Sequence, residues 1–203
     1  MAELEHITDE YPIPETTCRV ENTINKSRFI ATISRARTCE EAGSLIEAIK
    51  KRFSDANHNC WAYVAGPPGD SLHAGMSDDG EPRGTAGRPM LNTLLHSDVG
   101  EAVIVVTRYF GGVKLGTGGL VRAYTTSAQQ ALASVPLVVK TITSRVEMVL
   151  DYGAIAPIRR LAASCGAVLV EEKYGSGVEF VFEVPKHLAG RFVSEAAAFA
   201  TLR

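Results

Sequence analysis

The stretch Arg108-Tyr-Phe-Gly-Gly-Val-Lys-Leu-Gly-Thr-Gly-Gly-Leu-Val-Arg122 constrains this chain more than any other. Ahead of it, residues 102–106 form an apolar run that reads as a buried strand. Behind it, Leu120, Tyr124, Ala128, Ala131, Leu132 and Val135 recur at helical spacing. A strand, a glycine loop and a helix start therefore follow one another. Gly111 and Gly112, Gly118 and Gly119 come as pairs, with Gly116 between them. Such loops let a ligand or another backbone come close. Thr117 reads as the helix N-cap, which would turn the amides of Gly118, Gly119 and Leu120 outward, where an anion fits. Arg108, Lys114 and Arg122 add positive charge on either side. A tight crossover whose glycines serve packing alone is the other reading, and both stay open.

The rest of the chain supplies two sets of elements. Residues 1–14, with two prolines and four acids, read as a frayed lead-in. Residues 16–25 and 27–34 read as strands joined by a turn at Asn25-Lys26. Thr38-Cys-Glu-Glu41 is a capping-box pattern opening a helix with Ala42, Leu45, Ile46, Ile49 and Phe53 on one face. Residues 58–65 read as a strand, and residues 66–84 as a long polar loop of the kind that carries function or moves. Thr85-Ala-Gly-Arg-Pro89 opens a further helix. Pro136 marks a break. Beyond it come a strand at 140–150, a helix at 154–165 stopped by Gly166, strands at 167–173 and 178–184, and a helix over about 186–199. That is β-α-β-β-α, one strand short of the ferredoxin-like order. The expected division is residues 1–137 and 138–203.

Composition narrows the function. The 203 residues carry a net charge of −2, with 13 positive and 16 negative side chains in residues 1–137 and 8 and 7 in the remainder. Neither part is basic, so only a local patch could attract nucleic acid. No apolar run approaches the ~20 residues of a membrane span, and the acidic opening does not read as a leader. Cys18, Cys39, Cys60 and Cys165 are scattered, as expected of free thiols in a reducing cytoplasm.

The chemistry-bearing clusters are few. Asp78, Asp79 and Glu81 could hold a hard cation beside a phosphate, though such runs are more often solvated loop. His58 and Cys60 share a strand face but offer two zinc ligands, not four. His73, Ser77 and Asp78 lack the spacing of a nucleophile elbow. No Walker motif is present. Lys114-Leu-Gly-Thr-Gly-Gly119 is similar to the phosphate loop of the GHMP small-molecule kinases, without their catalytic partners. Arg83, Arg88, Arg108, Lys114 and Arg122 all fall in two glycine-containing segments that open helices. If those helix starts meet, the cations rim one pocket; scattered solvated charges are the alternative.

Two motifs are long and specific: Ser77-Asp-Asp-Gly-Glu-Pro-x-Gly-Thr-Ala-Gly-x-Pro-Met90, and Thr107-Arg-Tyr-Phe-Gly-Gly-x-x-Leu-Gly-x-Gly-Gly-Leu-Val-x-Ala-Tyr124. Together they closely resemble the IMPACT family in its bacterial YigZ branch, over nearly the whole chain. The resemblance implies an α+β protein. Its N-terminal two-layer α/β domain would be like a ribosomal small-subunit protein and the GHMP kinases. A ferredoxin-like domain like one in elongation factor G would follow, its last strand without a counterpart before Arg203. Eukaryotic members regulate translation by binding a partner of a stress kinase, through an additional N-terminal domain not expected in this chain. The expectation is a non-enzymatic cytoplasmic regulatory factor associated with translation, with no cofactor. It would bind RNA or ribosome, or a regulatory protein, through the glycine-loop patch. A phosphate- or nucleotide-binding enzyme using the same loop is the alternative.

Overall fold

A computed structural model describes residues 10–202, and these fall into two compact units. The first is Tyr11–Lys140; the second takes Glu10 and residues 141–202. In the first, a five-stranded antiparallel sheet runs β2 (Cys18–Ile24), β3 (Ser27–Arg35), β6 (Ala102–Tyr109), β4 (His58–Val64), β5 (Ala74–Ser77). The central strand β6 is apolar from Ala102 to Val106 because both its faces are covered there. Ala102, Ile104 and Val106 join Met90, Leu94, Leu120 and Tyr124 in one core. Val103 and Val105 meet Ala42, Ile46 and Ile49 on the other side. Helices α2 (Gly87–Leu95) and α3 (Gly116–Ser134) therefore cover one face and α1 (Cys39–Arg52) the other, a layer added to the expected two.

Local signals explain much of this. Asn25 and Lys26 both take positive φ, 46° and 65°, as the two-residue turn between β2 and β3 requires. Thr38 caps α1 by accepting from the amide of Glu41, and the Glu41 carboxylate reaches back to the amide of Arg37.

Other expectations need correction. Residues 1–9 lie outside the described residues, but Glu10–Pro14 form strand β1, with Tyr11 and Ile13 buried. It pairs with β7 (Leu137–Thr141), so residues 137–150 hold two strands rather than one. Glu101, buried and at φ 49°, joins these elements by accepting from Tyr11, Arg35 and Lys140. The 66–84 loop contains β5, paired with the edge of β4.

The second unit is a four-stranded antiparallel sheet in the order β11 (Ala200–Leu202), β8 (Thr143–Leu150), β10 (Val178–Pro185), β9 (Val168–Tyr174). Helices α4 (Ile155–Ser164) and α5 (Lys186–Ala196) bury Ile158, Leu161 and Phe192 against Met148, Phe180 and Phe182. This is the full ferredoxin-like order. The sixth element, expected to be missing, is β11: Ala200 pairs with Leu150 and Leu202 with Met148. The helix stops at Ala196, before the 199 expected, which frees three residues for the sheet edge. Among the described residues no helix is long and apolar enough to cross a membrane.

Candidate functional site

The site forms where β6 runs out into the glycine loop. Strand register sets His58 of β4 opposite Arg108 of β6, with Phe29 of β3 on its other side. Arg108 is buried, and its guanidinium lies over the rings of Phe29 and Phe110 at 5.5 and 5.6 Å. Its Nη1 donates to Glu81 Oε1 at 2.6 Å, and its Nη2 reaches Ser27 Oγ at 3.4 Å. Glu81 comes from the loop between β5 and α2. The same Oε1 accepts from Tyr124 of α3 at 2.8 Å. With side chains 6% and 3% exposed, Arg108 and Glu81 form a buried ion pair, which survives only where geometry and added hydrogen bonds offset desolvation.

Cys60 underlies this cluster. Its thiol donates to the Asp78 carbonyl at 2.9 Å, and Tyr124 Oη lies 3.3 Å from the sulfur. Burial is the main reason the thiol is pushed up to about 12, so it stays protonated. Burial, then the contact with Cys60 and the charge of Glu81, likewise drives the Tyr124 hydroxyl upward and keeps it a donor. Neither is a nucleophile here.

The acids 78 to 81 do not gather around a cation. Asp78 accepts from the amides of Gly84, Ala86 and Gly87 at 2.7, 3.0 and 2.8 Å, capping α2 with its own carboxylate. Burial works to raise this carboxyl, but the three amides and the nearby Arg83 charge hold it below the ordinary aspartate range. Asp79 accepts from the Asn59 amide at 2.7 Å and meets Lys50 Nζ at 3.1 Å. No group of three or more His, Cys, Asp or Glu among the described residues is placed to hold a metal. The start of α2 is thus already occupied by an internal anion.

The start of α3 is not. Its N-cap is Leu115, with no side-chain cap, and Thr117, expected as the cap, lies inside the first turn. Gly116 takes φ +70°, which swings the chain into the helix one residue before Thr117 and leaves the threonine hydroxyl no capping position. Gly116 and Thr117 of the first turn and the exposed Lys114 line a cavity of about 510 Å³. Glu81, His58 and Arg108 line its polar side. Asn57, Pro82, Phe110, Leu115, Gly116, Thr117 and Leu120 complete the wall.

The structure therefore brings together Arg108, Lys114, Gly116, Thr117 and Glu81 of the residues singled out by sequence. It does not bring in the others. Arg88 lines a separate depression with Val121 and Thr125, and Arg83 and Arg122 are exposed and outside this cavity. Gly111 serves packing: a Cβ there would lie 1.9 Å from the Lys26 carbonyl oxygen. Gly112, Gly118 and Gly119 belong to the loop and first helical turn without lining the cavity. Sequence reasoning missed Asn57, Phe110 and Tyr124 and weighed His58 only for zinc. The register that sets His58 beside Arg108 was the missing signal.

Fold and cavity together define a two-unit α+β protein with an open helix start above a buried Arg–Glu pair. Residues 25–132 match the model of the Impact N-terminal domain, and residues 148–199 that of the domain of unknown function DUF1949. The chain belongs to the IMPACT family. It is 39% identical over 186 residues to an IMPACT family member of Haemophilus influenzae, covering 92% of this chain and 90% of that protein. It is 38% identical over 192 residues to the IMPACT family member YigZ of Escherichia coli, covering 95% and 94%. A solved structure described as that of a hypothetical protein superposes with a TM-score of 0.70 at 38% identity, covering 93% of this chain and 92% of the other.

Proposed function

We propose that this chain is a non-enzymatic cytoplasmic regulatory factor of translation that contacts RNA, free or in the ribosome, through the α3 start. A backbone phosphate sits on the first-turn amides beside Lys114, and the adjoining nucleoside enters the cavity against Phe110. One observation carries the reading: an uncapped 19-residue helix start and an unpaired lysine flank a concave site with an aromatic ring at its rim. Helix starts favour anions, and aromatic faces accept bases of any sequence. Family membership supports the link to translation. A net charge of −2 argues for a local contact rather than a broad basic surface. Arg83, Arg88 and Arg122 are not needed for it.

The test is fluorescence anisotropy of a short mixed-sequence single-stranded RNA against salt. Binding should weaken on added salt with a log–log slope of about −0.7 per phosphate neutralised. Lys114→Ala should lower affinity for all sequences alike and flatten the slope. No binding in low salt rejects the proposal. A second reading, a nucleotide-using enzyme, is favoured by Glu81, His58 and Tyr124 converging beside the same cavity; turnover of a nucleotide in the presence of Mg²⁺ would support it instead.

A further inference from the structure

The protein uses only one oxygen of the Glu81 carboxylate. Oε1 accepts from both Arg108 and Tyr124. Oε2 has no hydrogen bond, and His58 Nε2, 4.0 Å away, is beyond bonding distance. The side chain is 3% exposed and lines the cavity, so Oε2 is an acceptor left to whatever occupies that space. His58 lines the same end. Its Nδ1 lies 2.9 Å from the Asp79 carbonyl oxygen. A carbonyl only accepts, so Nδ1 carries a proton and Nε2 is the ring nitrogen left beside Glu81.

The cavity thus has two chemically opposite ends. Lys114 and the α3 start offer donors; Glu81 Oε2 is an acceptor, with His58 Nε2 4.0 Å from it. A bare anion satisfies the first end and is repelled by the second. A ligand with a phosphate at one end and adjacent hydroxyls at the other satisfies both. A 5′-phosphorylated ribose has that layout, provided neither of its vicinal hydroxyls is esterified. Internal RNA residues have lost the 3′-hydroxyl to the chain, and deoxyribose lacks the 2′-hydroxyl.

We infer that the cavity reads a terminal ribose: the 5′-phosphate on the α3 start and Lys114, and, of the free 2′- and 3′-hydroxyls, one donating to Glu81 Oε2 and the other hydrogen-bonded to His58 Nε2. The ligand is a ribonucleoside 5′-phosphate, either free or as the 3′-terminal residue of an RNA. This rests on the phosphate reading of the α3 start given above.

The test uses the wild-type protein and uridine probes of one sequence. These are an oligouridylate ending in a free ribose, the same oligomer with a 2′-deoxy or a 3′-deoxy terminal residue, the same oligomer with a 3′-phosphate, and uridine 5′-monophosphate. Removing either terminal hydroxyl should weaken binding by about tenfold, as expected for the loss of a hydrogen bond. A 3′-phosphate should weaken it at least as much. His58→Phe, which leaves the buried Arg108–Glu81 pair intact, should narrow the difference between ribose and deoxyribose ends. If the monophosphate competes as well as the oligomer, the ligand is the free nucleotide; if it competes poorly, it is the RNA end. Equal affinity for ribose, deoxyribose and 3′-phosphate ends overturns the ribose reading while leaving the phosphate site standing. No binding of any probe overturns both.

Discussion

Arg108→Met is the perturbation that most sharply examines the centre of the site. The substitution keeps an unbranched side chain between Phe29 and Phe110 and removes only the charge and its hydrogen bonds. Glu81, 3% exposed, would then keep Tyr124 as its sole donor. Breaking one partner out of a buried pair typically destabilises by about 3–5 kcal/mol. Set against the ~5–15 kcal/mol that holds a domain together, this is a large fraction. With an m-value near 2 kcal/mol per molar urea, the unfolding midpoint should fall by roughly 2 M. Urea denaturation followed by far-UV circular dichroism measures it. Glu81→Gln in the Arg108→Met background should recover part of the loss, since no uncompensated charge then remains. The exposed pair Arg28–Glu21, with side chains 50% and 48% exposed, is the control, and Glu21→Gln should leave the midpoint unchanged. A midpoint shift for Arg108→Met no larger than that control would refute the buried-pair reasoning, because it would mean that water already solvates Glu81.

Further outcomes follow from the structure. Asp78→Ala should destabilise by about 1–2 kcal/mol, as loss of a good helix cap does. Because its folded-state pKa is depressed below the ordinary 3.8, Asp78 adds stability that is fully present above that value and is lost as pH falls through the folded one. Acid titration of Asp78→Asn should therefore show a shallower decline than wild type. Gly111→Ala should lower the melting temperature, since its Cβ would strike the Lys26 carbonyl, whereas Gly118→Ala, with nothing within 4 Å, should raise stability by up to about 1 kcal/mol. In thiol titration of the native protein at pH 8, Cys60 and Cys165, both buried, should stay unreactive while Cys18 and Cys39 react, with all four reacting in denaturant. Rapid labelling of native Cys60 would contradict its assigned burial.

Elements with strong local signals were legible in the sequence. The Thr38–Glu41 cap opened α1 where expected, and the apolar run of β6 reflected burial on both faces. The ferredoxin-like order was readable up to its last strand. β11 was not, because three residues cannot display an alternation and the helical spacing of α5 runs smoothly into them. β1 escaped notice because its partner β7 lies more than a hundred residues away, and pairing over that distance leaves no local mark. In the site, the glycine loop and the acids pulled the reading in opposite directions. Asp78 resolves that conflict: it is itself the anion at the α2 start, so the acids close one helix end while the other stays open. Glu81 looked like surface charge because nothing in its neighbours in sequence announces Arg108 and Tyr124.

The central claim is that the α3 start receives the phosphate. The most direct measurement is a two-dimensional ¹⁵N–¹H correlation spectrum of the labelled protein, recorded as single-stranded RNA is added at low salt. The account predicts that the largest amide shifts fall on Gly116, Thr117 and Gly118, with Lys114 and Phe110 following, and that Asp78-bonded amides of Gly84, Ala86 and Gly87 stay in place. Shifts centred on the α2 start or on residues 141–202, or a spectrum that RNA leaves unchanged, would contradict it.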